Sequence, residues 1–341
     1  MKIICTKSNL AKGVNIVSKA VPSKTTMPIL EDILQKGVIA IDAKIFSEIV
    51  RKLPDNEITI ESDSNLQTMI TCEKAKFSIS AKSGEDFSYL PYIEKAESIT
   101  LSQFTLKELI RQTIFSIADN DSNKLMTGEL FEIDGNILKV VSLDGHRISI
   151  RKTELIKNYQ SRKVVVPGKT LMEVSKILSG EADSTACLSF TDNHVVFEFD
   201  NTVVVSRLIE GEYFRIDQML SSDYETKVKI NKKELLSCID RATLLVKEGD
   251  KKPIIINIMD DVMELRIKSQ LGSMNEEILI SKEGKDLLIG FNPKFLIDAL
   301  RVIEDEEVTI YLMNAKAPCF IRDEKESYIY LILPVNFNAG V

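Results

Sequence analysis

The sequence predicts an α+β fold made of three copies of one unit, each with two helices packed on antiparallel sheets. Three observations support this prediction. Two different helical segments each recur three times, strand-like segments of alternating polarity surround them, and turn residues separate the strands. Recurrence of both helices in the same order along the chain indicates a series of similar domains.

The more regular of the two helices recurs without gaps at 43–53, 168–178 and 293–303, each copy starting 125 residues after the last (168−43 and 293−168). Its apolar residues are spaced i, i+3 and i+7, which places them on one buried face. They are Phe46, Ile49 and Leu53 in the first copy, Leu171, Val174 and Leu178 in the second, and Leu296, Ala299 and Ile303 in the third.

The other helix recurs at 8–20, 105–118 and 231–246, each time after a short alternating strand. These landmarks predict domains at 1–96, 97–224 and 225–341, and the order of helices and strands within each domain is the same.

The first domain is shorter than the others between its two helices. Leu10 to Phe46 spans 36 residues, whereas the equivalent distances are 65 (Leu106 to Leu171) and 61 (Leu235 to Leu296). About 25 to 30 residues are therefore expected to be missing near positions 34 and 35, where two strands are expected. Either the protein has lost a hairpin here or residues are absent from this sequence, and the spacing fits both explanations.

The composition is typical of a globular protein with a sizeable core, since 44% of the residues are hydrophobic and 28% are charged. The N-terminus lacks the apolar segment of a secretory signal, and no apolar run approaches the roughly 20 residues that cross a bilayer. The five cysteines are scattered without a CxxC pair, and there are two histidines. We therefore expect a cytoplasmic protein with reduced thiols, no metal, no cofactor and no membrane partner.

Charge is distributed unevenly between the helices and the rest of the chain. The six predicted helices hold 14 Lys or Arg and 6 Asp or Glu, a net +8, although the whole chain carries −7. Lys and Arg are good helix formers, but Glu is an equally good one and is scarce there. The alternative explanation is that the helices share a surface that faces a polyanion. Phosphate contacts need only cations and carry no sequence information, so such a surface suits duplex DNA.

Residues 142–149 read SLDGHRIS and raise the question of whether His146 is a catalytic base. A hydrolase would need a serine nucleophile and an acid such as Asp144 converging on the imidazole, yet the chain has no GxSxG elbow. There are two alternatives to a protein that binds duplex DNA. One is a hydrolase, in which His146→Ala would abolish turnover. The other is a tandem-repeat scaffold that does not act on DNA. The scaffold predicts that charge reversal at Lys169 and Lys176 leaves any function on DNA unchanged.

Several features together resemble the bacterial DNA polymerase sliding clamp, the β subunit of the replicative polymerase. They are the three repeats, the segment PSKTTMPIL after the first helix, the LDGHR motif and the C-terminal YLILPV. The resemblance covers nearly the whole chain, and the order of these features is more specific than any single motif. It implies the DNA clamp fold, in which two three-domain subunits form a ring, with helices lining the hole and sheets at the rim.

The resemblance also implies the activity and the partners. A clamp is not an enzyme; it tethers polymerases during DNA replication and raises their effective concentration at the primer end. The implied partners are encircled double-stranded DNA, a second copy in a head-to-tail homodimer, the replicative polymerase's catalytic subunit, a clamp loader, and other polymerases or repair proteins that dock through short peptides. The chain has no GxxxxGK[ST] loop, so another protein is expected to load it.

For the partner peptide, the resemblance implies a hydrophobic cleft with the LDGHR motif as one wall. Gly145 would allow a tight turn, and His146 and Arg147 would offer donors to the peptide. Phe214 stands where the family usually has proline, and Asn336 where it usually has arginine. The expected cleft residues are Met126, Leu143, Gly145, His146, Arg147, Ile148, Phe214, Gln218, Met219, Leu331, Leu333, Pro334 and Val335.

The resemblance assigns two further surfaces. The expected DNA contacts are Lys24, Lys44, Arg51, Lys169 and Lys176. The expected dimer contact pairs the edge strand around Phe77 in the first domain with Leu244 and Leu245 in the third domain of the other subunit. An aromatic residue against an exposed aliphatic pair is typical of an interface anchor. The short first domain forms one side of this interface, so a true deletion there would weaken ring closure.

Overall fold

The structure is a computed structural model that describes residues 1–20, 38–84, 98–119, 123–221, 223–246 and 252–337. The chain divides into two compact units, Met1–Ile93 and Glu94–Val341. The first unit holds the first predicted repeat, and the second holds the other two. Lys24 and the predicted gap near positions 34 and 35 lie outside the described residues.

The first unit packs two helices beside an antiparallel sheet. Its elements are β1 Lys2–Thr6, α1 Lys7–Ser18, β2 Ile39–Ala40, α2 Ala43–Lys52, β3 Glu57–Ser62, β4 Gln67–Cys72, β5 Ala75–Ser80 and β6 Lys82–Ser83. Thr6 and Asp42 begin the helices by accepting hydrogen bonds from backbone N–H groups of the first turn. Phe46, Ile49 and Leu53 are buried in the core, as their spacing predicts.

The second repeat contains a long hairpin between its two helices. Its elements are β7 Ser98–Ser102, α3 Gln103–Arg111, β8 Gly128–Leu143, β9 Arg147–Pro167, α4 Gly168–Ile177, β10 Thr185–Phe190, β11 His194–Phe199 and β12 Thr202–Arg207. A core of its own lies between these helices and the strands.

Within the described residues, the third repeat has five strands between its two helices. Its elements are β13 Thr226–Asn231, α5 Lys232–Thr243, β14 Ile254–Met259, β15 Val262–Ser269, β16 Gly272–Leu279, β17 Ser281–Gly284, β18 Leu287–Phe291, α6 Pro293–Val302, β19 Glu307–Leu312, β20 Cys319–Arg322 and β21 Tyr328–Ile332. Among the helices that the structure describes, none has the length and apolar character needed to cross a bilayer.

All three repeats use one strand order, which confirms the predicted repetition. In each, the strand before the first helix pairs with the strand after the second helix, and two further strands continue the sheet. The three orders are β1-β3-β4-β5, β7-β10-β11-β12 and β13-β19-β20-β21.

The second and third repeats are joined through one seven-stranded sheet, in the order β17-β13-β19-β20-β21-β9-β8. At the join, β9 pairs antiparallel with β21, and Ile148 lies opposite Leu331. An apolar cluster separate from the two cores lies here and contains Leu143, Ile148 and Leu331. We call it the junction cluster. Three of the expected cleft residues therefore meet where the two repeats join.

The helix predicted at 105–118 is shorter in the structure. It ends at Arg111, and a 3₁₀ turn follows at Ile114–Ser116. The guanidinium of Arg147 donates to the carbonyl of Phe115 at 2.5 Å. A long-range contact thus satisfies the carbonyl of Phe115, and sequence spacing does not reveal such a contact.

Candidate functional site

The LDGHR motif forms the tight turn between β8 and β9. Gly145 has a φ of 83°, a left-handed conformation that other residues adopt only with strain. Oδ1 of Asp144 accepts hydrogen bonds from the backbone N–H groups of His146 (3.0 Å) and Arg147 (3.2 Å). The side-chain carboxylate of Asp144 therefore closes the turn by accepting from backbone N–H groups two and three residues further on, as in Asx turns.

Arg147 lies beneath this turn, and only 6% of it is exposed. Its Nε donates to Oδ2 of Asp144 at 3.0 Å, and Nη1 donates to Oδ2 of Asp298 at 2.7 Å. The guanidinium also lies over the rings of Phe115 and Phe295, 5.3 and 4.5 Å from their centroids. The donor role toward a peptide that the sequence suggested does not fit these contacts, because the guanidinium is engaged inside the protein.

His146 is exposed on the outer side of the turn. Its ring stacks on Phe295 with centroids 6.0 Å apart, and its carbonyl accepts from the N–H of Leu333 at 2.9 Å. The ring has no hydrogen bond to any residue in the described ranges, and the nearby acid, Asp144, is occupied by the turn and by Arg147. The described residues thus do not assemble a Ser–His–Asp relay around it.

The expected cleft residues form a buried floor and an exposed rim. Leu143, Ile148 and Leu331 are buried in the junction cluster, and Met126 and Phe214 pack against it. The exposed members are Gly145, His146, Gln218, Met219, Leu333 and Val335, with Pro334 half-buried between the last two. Exposed apolar side chains beside a buried apolar floor suit the docking of a short apolar peptide.

The segment after β21 is fixed on both sides. Besides the bond from Leu333 to the LDGHR turn, the N–H of Val335 donates to the carbonyl of Gly290 in β18 at 2.8 Å. A Cβ at Gly290 would lie 3.0 Å from the carbonyl oxygen of Val335, which is an unusually close approach. The exposed side chains of Leu333 and Val335 therefore stand on a rigid backbone.

A cleft of about 640 Å³ lies beside the segment 208–218. Its lining includes Leu130, Val165, Phe214 and Gln218, but none of the LDGHR residues. Phe214 thus contacts both this cleft and the junction cluster. Of the expected cleft residues, Phe214 and Gln218 are the ones that line it.

Glu129 on β8 is an unexpected charged side chain behind the site. It is fully buried, and its carboxyl oxygens have no hydrogen-bond partner within the described part of the chain. Burial raises the pKa of the Glu129 carboxyl well above its usual range. Burial and the nearby Glu129 also raise the pKa of the Tyr213 phenol, and the Tyr213 ring packs edge-on against Phe214 at 5.5 Å. No sequence signal marked Glu129, since glutamate in a strand is ordinarily exposed.

The second helix of each repeat carries the same three charges. These are Lys44, Glu48 and Arg51 in α2, Lys169, Glu173 and Lys176 in α4, and Lys294, Asp298 and Arg301 in α6. In α2 and α4 the acid pairs with the last base, at 2.6 and 2.7 Å. The first lysines of these helices, Lys44 and Lys169, are exposed and have no ion pair among the residues that the structure describes.

The expected dimer residues occupy surfaces of different character. Phe77 lies on β5, the outer strand of the first unit's four-stranded sheet, and is partly exposed. Leu244 follows α5 and is 78% exposed, whereas Leu245 packs partly against the core of the third repeat. Leu244 is therefore the freer of the pair to meet a partner.

Repeated pairs of basic helices on antiparallel sheets define the DNA clamp class of proteins. Family models of the DNA polymerase III beta subunit match the chain at 31–91 (N-terminal domain), 100–214 (central domain) and 217–336 (C-terminal domain). The beta sliding clamp of Bacillus subtilis (strain 168) is 32% identical over 376 residues, covering 98% of this chain and 99% of that protein. The chain belongs to the DNA polymerase III beta subunit family, the beta sliding clamps.

Solved structures agree with this assignment. A crystal structure described as a DNA polymerase III beta subunit from Eubacterium rectale ATCC 33656 is 65% identical, with a TM-score of 0.95 and coverage of 99% of this chain and 100% of that one. The DNA polymerase sliding clamp of Bacillus subtilis is 31% identical, with a TM-score of 0.94 and the same coverage. The protein is a processivity factor of DNA replication without catalytic activity of its own, and neither the hydrolase nor the scaffold alternative is supported.

Proposed function

We propose that two copies of this chain close head to tail into a ring around duplex DNA and tether polymerases in the bacterial cytoplasm. The observation that carries this proposal is the recurrence, at the same position of α2 and α4, of an exposed lysine with no ion pair to any described residue, in a chain of net charge −7. Equivalent helices that each present a cation contact phosphates without reading bases. The acidic remainder of the chain repels DNA from other surfaces.

The DNA surface in this proposal comprises Lys44, Arg51, Lys169 and Lys176, together with Lys24. Arg51 and Lys176 are exposed and share their charge with an acid on the same helix, so they contribute less than the unpaired lysines. We place the domains at 1–96, 97–224 and 225–341. The Bacillus subtilis alignment is longer than this 341-residue chain and so includes positions that the chain lacks. We place these positions between α1 and α2.

Partner proteins dock through short peptides at the junction of the second and third domains. The peptide's apolar side chains rest on the floor of Leu143, Ile148 and Leu331 and contact the exposed apolar rim. His146 offers its free imidazole at the edge, while Arg147 holds the turn from below. The partners are the polymerase's catalytic subunit, the clamp loader, and other polymerases or repair proteins.

A charge-reversal experiment tests the DNA surface. The variant Lys44→Glu/Lys169→Glu is compared with Lys316→Glu/Lys325→Glu, which makes the same change of charge at exposed positions between β19 and β21. Product lengths are measured on a primed single-stranded template with a cognate polymerase and clamp loader. We expect the helix variant to shorten the products, and the slope of log affinity for duplex DNA against log salt to fall by about 0.9 per lost phosphate contact.

Equal product lengths from both variants would contradict the placement of DNA on the helices. Circular dichroism and native mass spectrometry of both variants establish that folding and assembly are unchanged, so a loss confined to the helix variant reports on DNA contact.

A further inference from the structure

The shared acid of the second helices has a different partner in the third repeat. In α2 and α4 it pairs with the basic residue three positions further along the same helix, Glu48 with Arg51 and Glu173 with Lys176. In α6, Asp298 instead accepts from Arg147 at 2.7 Å and from Lys294 at 2.9 Å, both at Oδ2. The last base of α6, Arg301, turns to Asp240. The acid of the second helix thus pairs within its own helix in the first two repeats, but with the arginine of the LDGHR turn in the third.

We propose that Asp298 is a positioning residue of the peptide site, acting through Arg147. This inference rests on the proposed peptide-binding function. Asp298 stands on α6, a helix equivalent to those assigned to DNA, and it belongs to neither the expected cleft set nor the expected DNA set.

The mechanism follows from how Arg147 is shared. Its Nη1 is held by Asp298 and its Nε by Oδ2 of Asp144, while Oδ1 of the same aspartate closes the turn. A buried guanidinium needs its acceptors, because removing one leaves a desolvated charge partly unpaired. Without Asp298, the remaining contacts hold Arg147 in place less tightly, and Asp144 is less firmly fixed as well. The turn carrying His146 then samples more conformations, and the peptide must order it on binding.

The side chain of Asp298 is mostly buried, whereas Lys294, which donates to the same carboxylate oxygen as Arg147, is largely exposed. An exposed i, i+4 pair of this kind contributes little, whereas the bond to the buried Arg147 contributes more. Neutralising Lys294 is therefore expected to change peptide affinity less than twofold, a small effect by the arithmetic of binding. This distinguishes positioning from a general effect of charge on α6.

The test uses the full chain and a fluorescein-labelled synthetic peptide that carries a run of Leu and Phe, which suits the apolar floor and rim. Affinity is measured by fluorescence anisotropy for the wild type, Asp298→Asn, Asp298→Glu, Lys294→Met and Glu173→Gln. We expect Asp298→Asn to weaken binding by about three- to tenfold and Asp298→Glu to recover part of the loss. Glu173→Gln, the matched change at the equivalent position of α4, should leave affinity unchanged.

A double-mutant cycle distinguishes a residue that acts through Arg147 from one with a merely structural role. If Asp298 acts only through Arg147, then Asp298→Asn made in an Arg147→Met background should cause no further loss. Additive losses would overturn the inference, as would full affinity in Asp298→Asn alone. Asp240→Asn, which breaks the exposed pair with Arg301, controls for loss of an ion pair on this repeat.

The outcomes separate the inference from the function on which it rests. A wild type that does not bind the peptide overturns the proposed peptide site, and the inference with it. A wild type that binds while Asp298→Asn binds equally well overturns the inference and leaves the peptide site standing.

Discussion

Glu129 shows how a single residue can oppose the stability of the fold around it. Its neighbours Gly128 and Leu130 are buried with it, so the carboxyl lies where water does not reach. Burying an ionised carboxyl without a partner costs more free energy than protonating it, which is why its pKa rises. Burial therefore favours the protonated, neutral form of this carboxyl in the folded state, next to the Tyr213 and Phe214 pair that borders the proposed peptide site.

This burial predicts a pH-dependent stability that Glu129→Met removes. The carboxyl binds its proton in the folded state above the unfolded pKa of about 4.3, so the free energy of unfolding falls as pH rises from there toward the raised pKa. Glu129→Met should be more stable than the wild type by about 1–3 kcal/mol near pH 8, and by less near pH 5. Urea unfolding at the two pH values measures this.

Glu154→Met is the control, since Glu154 is exposed on the same hairpin. It should change stability little, and equally at both pH values. A Glu129→Met variant with the same pH slope as the wild type would mean that Glu129 is ionised in the folded protein.

At the scale of elements, the start of α4 depends on the absence of a side chain. The equivalent helices begin with Ala43 and Pro293, but α4 begins with Gly168. A Cβ there would lie 2.9 Å from the carbonyl oxygen of Thr127 and 2.3 Å from Cδ1 of Ile117. The isoleucine can turn away, but the backbone oxygen cannot, so close packing and not turn geometry selects glycine.

Gly168→Ala should therefore destabilise α4 by about 1–3 kcal/mol, as overpacking does. Gly13→Ala provides the opposite case, because Gly13 lies inside α1 and a methyl group added there would meet nothing within 4 Å. That substitution should stabilise α1 by about 0.5–1 kcal/mol through helix propensity. Hydrogen exchange followed by mass spectrometry, resolved to peptides from each helix, measures both. Faster exchange in α1 of Gly13→Ala, or unchanged exchange in α4 of Gly168→Ala, would contradict this account.

Periodic features of these elements could be predicted from the sequence, and long-range pairings could not. The spacing of Phe46, Ile49 and Leu53 predicted their burial because helix geometry alone determines which residues share a face. The alignment of the second helices likewise puts Asp298 in register with Glu48 and Glu173. Asp298 reaches Arg147, and the carbonyl of Phe115, in the 3₁₀ turn that follows α3, accepts from the same guanidinium. Both contacts join segments that are distant in the sequence. Spacing within one segment contains no information about them.

At the scale of the whole molecule, the proposed ring requires surfaces that a second copy covers. Phe77 lies on β5, the outer strand of its sheet within the described part of the chain, and an outer strand offers backbone groups that can pair with another chain. Leu244 exposes 78% of its surface just after α5, and α5 packs against β16, the outer strand of its sheet within the described residues. Large exposed apolar side chains at such edges are typical of interfaces and unfavourable in a protein that stays monomeric.

Leu244→Asp should therefore weaken the dimer, raising its dissociation constant by about tenfold or more, because a carboxylate placed in an apolar contact loses its hydration. Native mass spectrometry over a dilution series measures the ratio of single to double subunit mass. Ile156→Asp is the matched control: Ile156 is 85% exposed on β9, a strand that belongs to neither proposed interface surface, and its substitution should leave the ratio unchanged. Leu245 is left intact because it packs partly against the core.

A Leu244→Asp dimer as stable as the wild type would place the ring contact elsewhere. A wild type that is monomeric throughout the series would show that the shortened first domain does not close the ring, and clamp function would then require the positions that this chain lacks relative to its Bacillus subtilis counterpart.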